Sequence, residues 1–354
     1  FSMTALLQSH RYYTNIRLKS VSKMVTSEAM RFMVDCLKAA GASPNAAEQQ
    51  AELLIQADKL GHPSHGMNRL EFYVNDILSG ACKPNNEPKV VKENASTALV
   101  DANNVLGATA SNFAMALAIA KAQQSGVGWV TVKGSNHNGM AGFWAKMAAD
   151  KGLIGMSFTN TSPLMAPTRS KQSALGTNPL SVVAPGSKGE IFYLDMATTA
   201  VALGKVSRTS QRFLCYSVTA HLISRGCSTG IVITNSNLTG SNYGHHVRAW
   251  SHSGKGGPAN LGHCFVAVDP NCFAPGFGDR LTDSIFLSYD WFSMASQPAD
   301  PNLPVLAPGD KEKAHAQQVE TRGTVAYVKQ QLDASAALAE RLKVKPMENK
   351  KSYY

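Results

Sequence analysis

The sequence lacks the marks of several large protein classes. No apolar run reaches the roughly 18 residues of a membrane-crossing helix, and the N-terminal stretch has no apolar core of a secretory signal. The six cysteines, Cys36, Cys82, Cys215, Cys227, Cys264 and Cys272, are scattered with no C-x-x-C pair. That spacing suggests neither a zinc site nor a disulfide scaffold, so reduced thiols and a cytoplasmic location are expected. No G-x-G-x-x-G follows an apolar run, which disfavours a Rossmann dinucleotide loop. Acidic residues are missing from two windows. Residues 1–27 carry Arg11, Arg17, Lys19 and Lys23 with no acid, and residues 196–268 carry Lys205, Arg208, Arg212, Arg225, Arg248 and Lys255 with none. These windows account for the whole net charge of +10, so the remainder is neutral. A neutral body without basic and aromatic residues interleaved is not a nucleic-acid surface.

With 354 residues, 44% hydrophobic and 16% charged, the chain is long and apolar enough for a full core and for more than one domain. Residues 1–25 read as a leader or disordered tail ahead of a start at Met24. Being basic and free of acid, the segment also resembles a mitochondrial presequence. Residues 26–85 read as a helical domain. Ala29, Phe32, Met33, Cys36 and Leu37 fall on one face of a first helix ending at Gly41, a second follows Ser43-Pro44, and a third is predicted from near His65 to Gly80. From residue 86 to 262 the pattern turns β-rich. Short strand-like runs at 98–101, 127–132, 153–159, 180–183 and 191–194 are separated by Gly, Pro, Asn and Ser, and Ala108 to Ala122 is a small-residue helix closing at Gly126. Residues 263–354 form a C-terminal segment. The fold class expected is α+β.

Two motifs carry chemistry. In Ser64-His65-Gly66-Met67-Asn68-Arg69 a proton donor and a fixed cation are four residues apart, which on a helix puts them on one face. That pairing suits a small anionic substrate. In Gly134-Ser135-Asn136-His137-Asn138-Gly139 a second histidine lies in a polar turn directly after a buried strand. No carboxylate stands at ligand spacing to His65 or His137, so metal-dependent hydrolysis is disfavoured and no metal is expected.

These motifs, followed in order by Met165-Ala166-Pro167, Gly176-Thr177-Asn178-Pro179, Leu194-Asp195-Met196-Ala197-Thr198 and Pro258-Ala259-Asn260-Leu261-Gly262, resemble the type-II malate/L-lactate dehydrogenase family. The resemblance implies a non-Rossmann nicotinamide-binding β-rich domain packed against a helical domain, in a homodimer. It also implies hydride transfer between NAD or NADP and a small 2-hydroxyacid or 2-ketoacid. By the family pattern His65 is the proton donor, Arg69 the carboxylate clamp and His137 a second catalytic group. A pKa near 6.5 suits a histidine to proton donation at neutral pH. The cofactor side would be formed by Thr177, Asn178 and Pro179, by the segment from Gly189 through Phe192 and Leu194 to Asp195, and by Gly309, Asp310 and Lys311. Residues 206–236 depart from the family pattern as a replaced or frame-shifted segment would. The alternative expectation is therefore an inactive or unstable isoform that lacks part of the cofactor wall and acts at most as a dimerising or binding protein.

Overall fold

The computed structural model describes residues 21–162, 176–198, 257–283 and 306–348. The 206–236 departure, the Met165-Ala166-Pro167 motif and the first 20 residues of the expected leader lie outside the described residues.

Two layers of structure are built from two hydrophobic periods. Apolar residues at helical spacing bury one face of α1 (Thr26–Ala39), with Phe32, Met33, Cys36 and Leu37 all at 0% exposure. Ser43 caps α2 (Pro44–Lys59) by accepting from the Ala46 N–H at 3.3 Å, and Pro44 occupies the first turn where its missing N–H costs nothing. The third helix departs from expectation. Only a 3-10 turn, Met67–Arg69, precedes α3 (Leu70–Leu78), and His65 stands outside both. The cause is tertiary: Gly66 lies against the Asp58 carboxylate with φ −90° and ψ −149°, outside the helical region, and the Met67 N–H, a first-turn amide with no partner within the helix, donates to the same side chain at 3.0 Å.

The helical layer also takes in the two ends of the described chain. Strand β1 (Val21–Val25) pairs antiparallel with β9 (Thr324–Val328), which carries ordered structure back into the expected leader. Beyond the short helix α6 (Phe277–Thr282), Val319 of α7 (Asp310–Arg322), Val325 and Tyr327 of β9, and Leu338 and Ala339 of α8 (Lys329–Leu342) share one buried cluster with α1, α2 and α3.

The β layer is a seven-stranded mixed sheet. Its strands are β2 (Lys89–Glu93), β3 (Thr97–Asp101), β4 (Val127–Ser135), β5 (Ile154–Thr159), β6 (Leu180–Pro185), β7 (Ile191–Met196) and β8 (Leu261–Val268), in the order β2-β3-β4-β8-β5-β6-β7. Only β3 and β4 pair in parallel, and the crossover between them is α4 (Gly107–Ser125). The remaining pairs are antiparallel. As a result β3, β4, β5 and β7 all run the same way, and the polar turns that follow them gather at one end of the sheet. Strand β8 extends to Val268, so the boundary expected at residue 262 falls inside a central strand.

Helix α4 and α5 (Ala141–Ala149) cover one sheet face, packing on Val100, Val130, Val132 and Phe265 with Trp144 between them. They lie unusually close. A Cβ at Gly128 would overlap the Ala118 carbonyl oxygen, and one at Gly155 would overlap that of Ala145. Glycine there is a packing requirement. Gly128→Ala is therefore expected to lower stability by roughly 2 kcal/mol in urea denaturation, since strand and helix backbones must separate. Gly257→Ala, where nothing lies within 4 Å of the new methyl, serves as the neutral control.

Candidate active site

The first motif is held from below by Asp58, near the end of α2. Its Oδ2 accepts from the Met67 N–H at 3.0 Å and from the Tyr327 hydroxyl at 2.8 Å. Gly66 lies flat on the same carboxylate, where any Cβ would overlap it. The loop from Ser64 to Arg69 is thus tied to α2 and β9 before it enters α3. Burial pushes the Asp58 carboxyl up to about 6, against the lowering effect of those two donors. Within the loop, Arg69 Nε donates to the Ser64 carbonyl at 2.7 Å, its guanidinium lies 5.5 Å from the Phe72 ring centre, and Ser64 Oγ is 2.9 Å from His65 Nδ1. His65 and Arg69 therefore do not share an α-helical face as the spacing predicted. A folded-back loop brings them together instead.

The second motif ends β4. The Asn136 amide donates to Asn104 Oδ1 at 2.9 Å and to the Val105 carbonyl at 2.8 Å, pinning the turn to the start of α4. Beneath it sits His263 of β8, at 0% exposure. Its Nε2 is 3.0 Å from the Asn136 carbonyl and 2.9 Å from Ser135 Oγ, while Nδ1 is 2.6 Å from Thr159 Oγ1. A carbonyl only accepts, so the ring hydrogen is on Nε2 and Nδ1 accepts from Thr159. Burial holds His263 down at about 4, which keeps it neutral. The sequence reading missed this residue. Its only signal was a histidine within an otherwise apolar run, and that signals burial rather than a role.

The two motifs meet face to face. The His65 and His137 rings stack with centroids 6.1 Å apart and 21° between planes. Tyr73, one helical turn beyond Arg69 on α3, places its hydroxyl 2.7 Å from His137 Nδ1. Burial first, then Arg69 and His62, lowers the His65 pKa to about 4. His137 is driven well below its ordinary value by burial, with His65, Arg69 and His263 adding to the effect. Arg69 is itself shifted downward by burial. The cluster thus carries its positive charge on Arg69, with both imidazoles neutral at pH 7.

Other residues of the expected cofactor side gather at the same sheet end. Thr161 Oγ1 is 3.2 Å from Thr177 Oγ1, the Asn178 N–H donates to Thr161 Oγ1 at 3.3 Å, and Thr198 Oγ1 donates to the Asn178 carbonyl at 2.8 Å. Asn178 takes φ 38°, in the left-handed region, and Pro179 leads from it into β6. Asp195 Oδ2 accepts from the Gly142 N–H at 2.7 Å, in the first turn of the helix that follows the His137 loop. Burial raises its carboxyl to about 6. Phe192 and Leu194 are half-buried on β7. Gly309 caps α7 with φ 101° and packs on Tyr193, whose N–H donates to the Pro308 carbonyl at 3.3 Å. Asp310 accepts from the Ala307 N–H at 2.7 Å, and Lys311 is exposed. From there α7 reaches the first motif: Glu312 lies 3.4 Å from His62, and His315 Nδ1 donates to the Lys59 carbonyl at 2.8 Å. Gly189 is separate. It sits in the β6–β7 turn at the far end of the strand from Asp195, with φ 79° and nothing within 4 Å of a Cβ position.

Helices covering one face of a mixed sheet, with a facing histidine pair, an arginine and hydroxyl-rich turns at one sheet end, define an α+β class distinct from doubly wound parallel folds. A malate/L-lactate dehydrogenase family model matches residues 25–212. A malate dehydrogenase from Pyrococcus abyssi is 45% identical over 179 residues, 51% of this chain and 49% of that protein. An NAD(+) ureidoglycolate dehydrogenase from Escherichia coli O157:H7 is 31% identical over 66% of this chain and 73% of its own length. The fold matches malate dehydrogenase from Pyrococcus horikoshii OT3 with TM-score 0.77 at 28% identity, covering 93% of this chain and 97% of that one. It matches sulfolactate dehydrogenase from Methanocaldococcus jannaschii with TM-score 0.76 at 26% identity. The chain belongs to the malate/L-lactate dehydrogenase family, although its sequence match spans about half the length of the Pyrococcus abyssi relative.

Asp58 gives a stability test with a definite sign. Its folded pKa of about 6 lies above the ordinary carboxylate value of 3.8, so the folded state binds the proton more tightly and stability from this group falls as pH rises between those values. Asp58→Asn keeps an acceptor oxygen for Met67 and Tyr327 but removes the charge. Relative to wild type it is expected to gain on the order of 2 kcal/mol between pH 4 and pH 7. Thermal melts at both pH values measure this, and a pH-independent difference would mean that Asp58 is not ionising in its buried site.

Proposed function

We propose that the chain transfers hydride between NAD or NADP and a small 2-hydroxyacid or 2-ketoacid of the malate or lactate type. The observation that carries this reading is the stacked His65–His137 pair beside Arg69, at 6.1 Å between ring centres. A bidentate guanidinium suits a substrate carboxylate, and two histidines suit the adjacent oxygen that gains or loses a proton. The family membership supports the same assignment.

A reduced nicotinamide, when bound, supplies hydride to the carbonyl carbon. The described residues fit such a group. Hydroxyls of Thr161, Thr177 and Thr198 line the end of the sheet, and the buried Asn160 Nδ2 has no hydrogen-bond partner, leaving an amide donor for a polar ligand. Thr177, Asn178, Pro179, Phe192, Leu194 and Asp195 would hold it, with Gly309, Asp310 and Lys311 closing from α7. Gly189, at the other end of β7, would contribute least.

His65 moves the proton. With its pKa lowered to about 4 by burial, Arg69 and His62, it is a base in the free protein, ready to take the hydroxyl proton of a 2-hydroxyacid. For reduction it must become an acid. A substrate carboxylate on Arg69 offsets the cation that depresses His65, and so raises its proton affinity when a 2-ketoacid is in place. Arg69 thereby orients the substrate and charges the donor. His137 would hold the carbonyl oxygen from the opposite side.

Two copies acting together in the cytoplasm are part of this reading. Edge strand β2 exposes every residue, with Val91 at 54%, and Trp129 is 38% exposed, which supports burial against a second chain. Cys36 and Cys272 are free thiols, in keeping with a reducing compartment. A second reading, an inactive relative that acts by binding alone, is favoured by the family match ending at residue 212.

The test is loss of reduced-nicotinamide absorbance with NADH and with NADPH against a panel of 2-ketoacids. Turnover is expected with at least one pair. His65→Ala should lower kcat about 100-fold or more, and Arg69→Leu should raise KM by about 100-fold. No consumption with any pair would favour the inactive relative, and an unimpaired His65→Ala would reject His65 as the proton carrier.

A further inference from the structure

We propose that Tyr73 is a positioning residue that locks His137 as its Nε2–H tautomer, so that His137 enters the site as a hydrogen-bond donor and not as a base. This deepens the reading of the His65, Arg69 and His137 cluster as a reaction site, and rests on it.

Three observations carry the proposal. Gly139 N–H donates to His137 Nδ1 at 3.1 Å. A backbone amide can only donate, so Nδ1 must present its lone pair, and in a neutral imidazole the single hydrogen then sits on Nε2. The Tyr73 hydroxyl, 2.7 Å from the same Nδ1, adds the shorter bond. Tyr73 is itself immobilised: it is 2% exposed, belongs to the helical-layer core and meets the His137 ring edge-on at 5.9 Å and 61°. A rigid phenol therefore fixes both the tautomer and the rotation of the ring.

The surroundings keep the imidazole neutral. Burial, His65 and Arg69 all oppose a second proton on it. A neutral Nε2–H cannot take a proton from substrate, since its acceptor nitrogen is already engaged. It can donate to a carbonyl or alkoxide oxygen, which divides the labour of the pair: His65 exchanges the proton and His137 stabilises the oxygen that carries it. Arg69 is the N-cap of α3 and Tyr73 lies four residues further along it, so the helix that begins at the carboxylate clamp orients the oxygen-binding donor of the other layer.

The experiment is side-chain 15N–1H correlation NMR of the full chain, with His137 assigned from the spectrum of His137→Gln. In the wild type His137 is expected as a single Nε2–H tautomer with an unprotonated Nδ1. In Tyr73→Phe, which keeps the ring and removes only the hydroxyl, the Nδ1 resonance should move and a minor Nδ1–H tautomer appear. In the same variant kcat should fall roughly tenfold with KM nearly unchanged. Should Tyr73→Phe fold poorly, replacing tyrosine by 3-fluorotyrosine strengthens the phenol as a donor and should shift the same Nδ1 resonance in the intact fold. A wild-type Nδ1–H tautomer, or His137 signals indifferent to both changes, overturns the proposal even if turnover is normal. A locked Nε2–H tautomer that responds to Tyr73, in a chain without turnover, upholds the proposal and instead sinks the dehydrogenase reading.

Discussion

The site depends on one buried oxygen. Asp58 Oδ2 takes hydrogen bonds from the Met67 amide and the Tyr327 hydroxyl, and so joins α2, the first histidine loop and the C-terminal β9 at a point. Gly66 lies on the same carboxylate with φ −90° and ψ −149°, which breaks the helical path ahead of α3 and leaves His65 in a loop. Only with that loop folded back does the Arg69 guanidinium approach His65 and His137. The constraint is expensive, because burial works against the charge of Asp58. A cheaper apolar residue would stabilise the helical layer but would release the loop that the layer exists to present.

The electrostatics of the cluster follow from what it excludes. Three side chains able to carry positive charge, His65, Arg69 and His137, stand together, and the structure settles their competition by leaving the charge on arginine, whose basicity survives burial. The imidazoles are neutral donors and acceptors rather than cations. A site of this kind is primed for an anion and not saturated by its own charges. It also makes the protonation of His65 depend on what occupies Arg69, so the proposed proton carrier would gain its acid form in the presence of the substrate it serves.

Helices α1 and α2 were legible because their apolar spacing and the Ser43-Pro44 start agree with their final burial. Strands β3 to β7 were legible from short apolar runs between turn residues, whereas β2 and β8 were not. What was not legible was set by partners distant in sequence. The expected helix through His65 failed because Gly66 seats on Asp58 in a non-helical conformation, and no local pattern reports that contact. Strand β1 pairs with β9, some 300 residues later, in a stretch whose composition reads as a tail. Tyr73 resembled any core residue on an amphipathic helix face, and His263 any buried polar group in a central strand. The histidine pair and arginine could be named from sequence, but the groups that aim them could not, because aiming is done by hydrogen bonds across layers.

The direction of the strands explains why the polar turns converge. With β3 and β4 parallel and β8 inserted between β4 and β5, the strands β4, β5 and β7 all point the same way. Their trailing residues, Ser135 to His137, Thr159 to Thr161 and Asp195 to Thr198, must then lie along one edge, together with the leading turns Thr177-Asn178 and Asn260. His263 stitches two of these ends, Thr159 and Asn136, through a single ring. Asp195 stitches a third to the helix beginning just beyond His137. A fold without the G-x-G-x-x-G turn can in this way still assemble backbone amides, hydroxyls and a left-handed asparagine at one sheet end. What a Rossmann fold gathers in one glycine-rich loop is distributed here over several strand ends, each held to the next by a side chain.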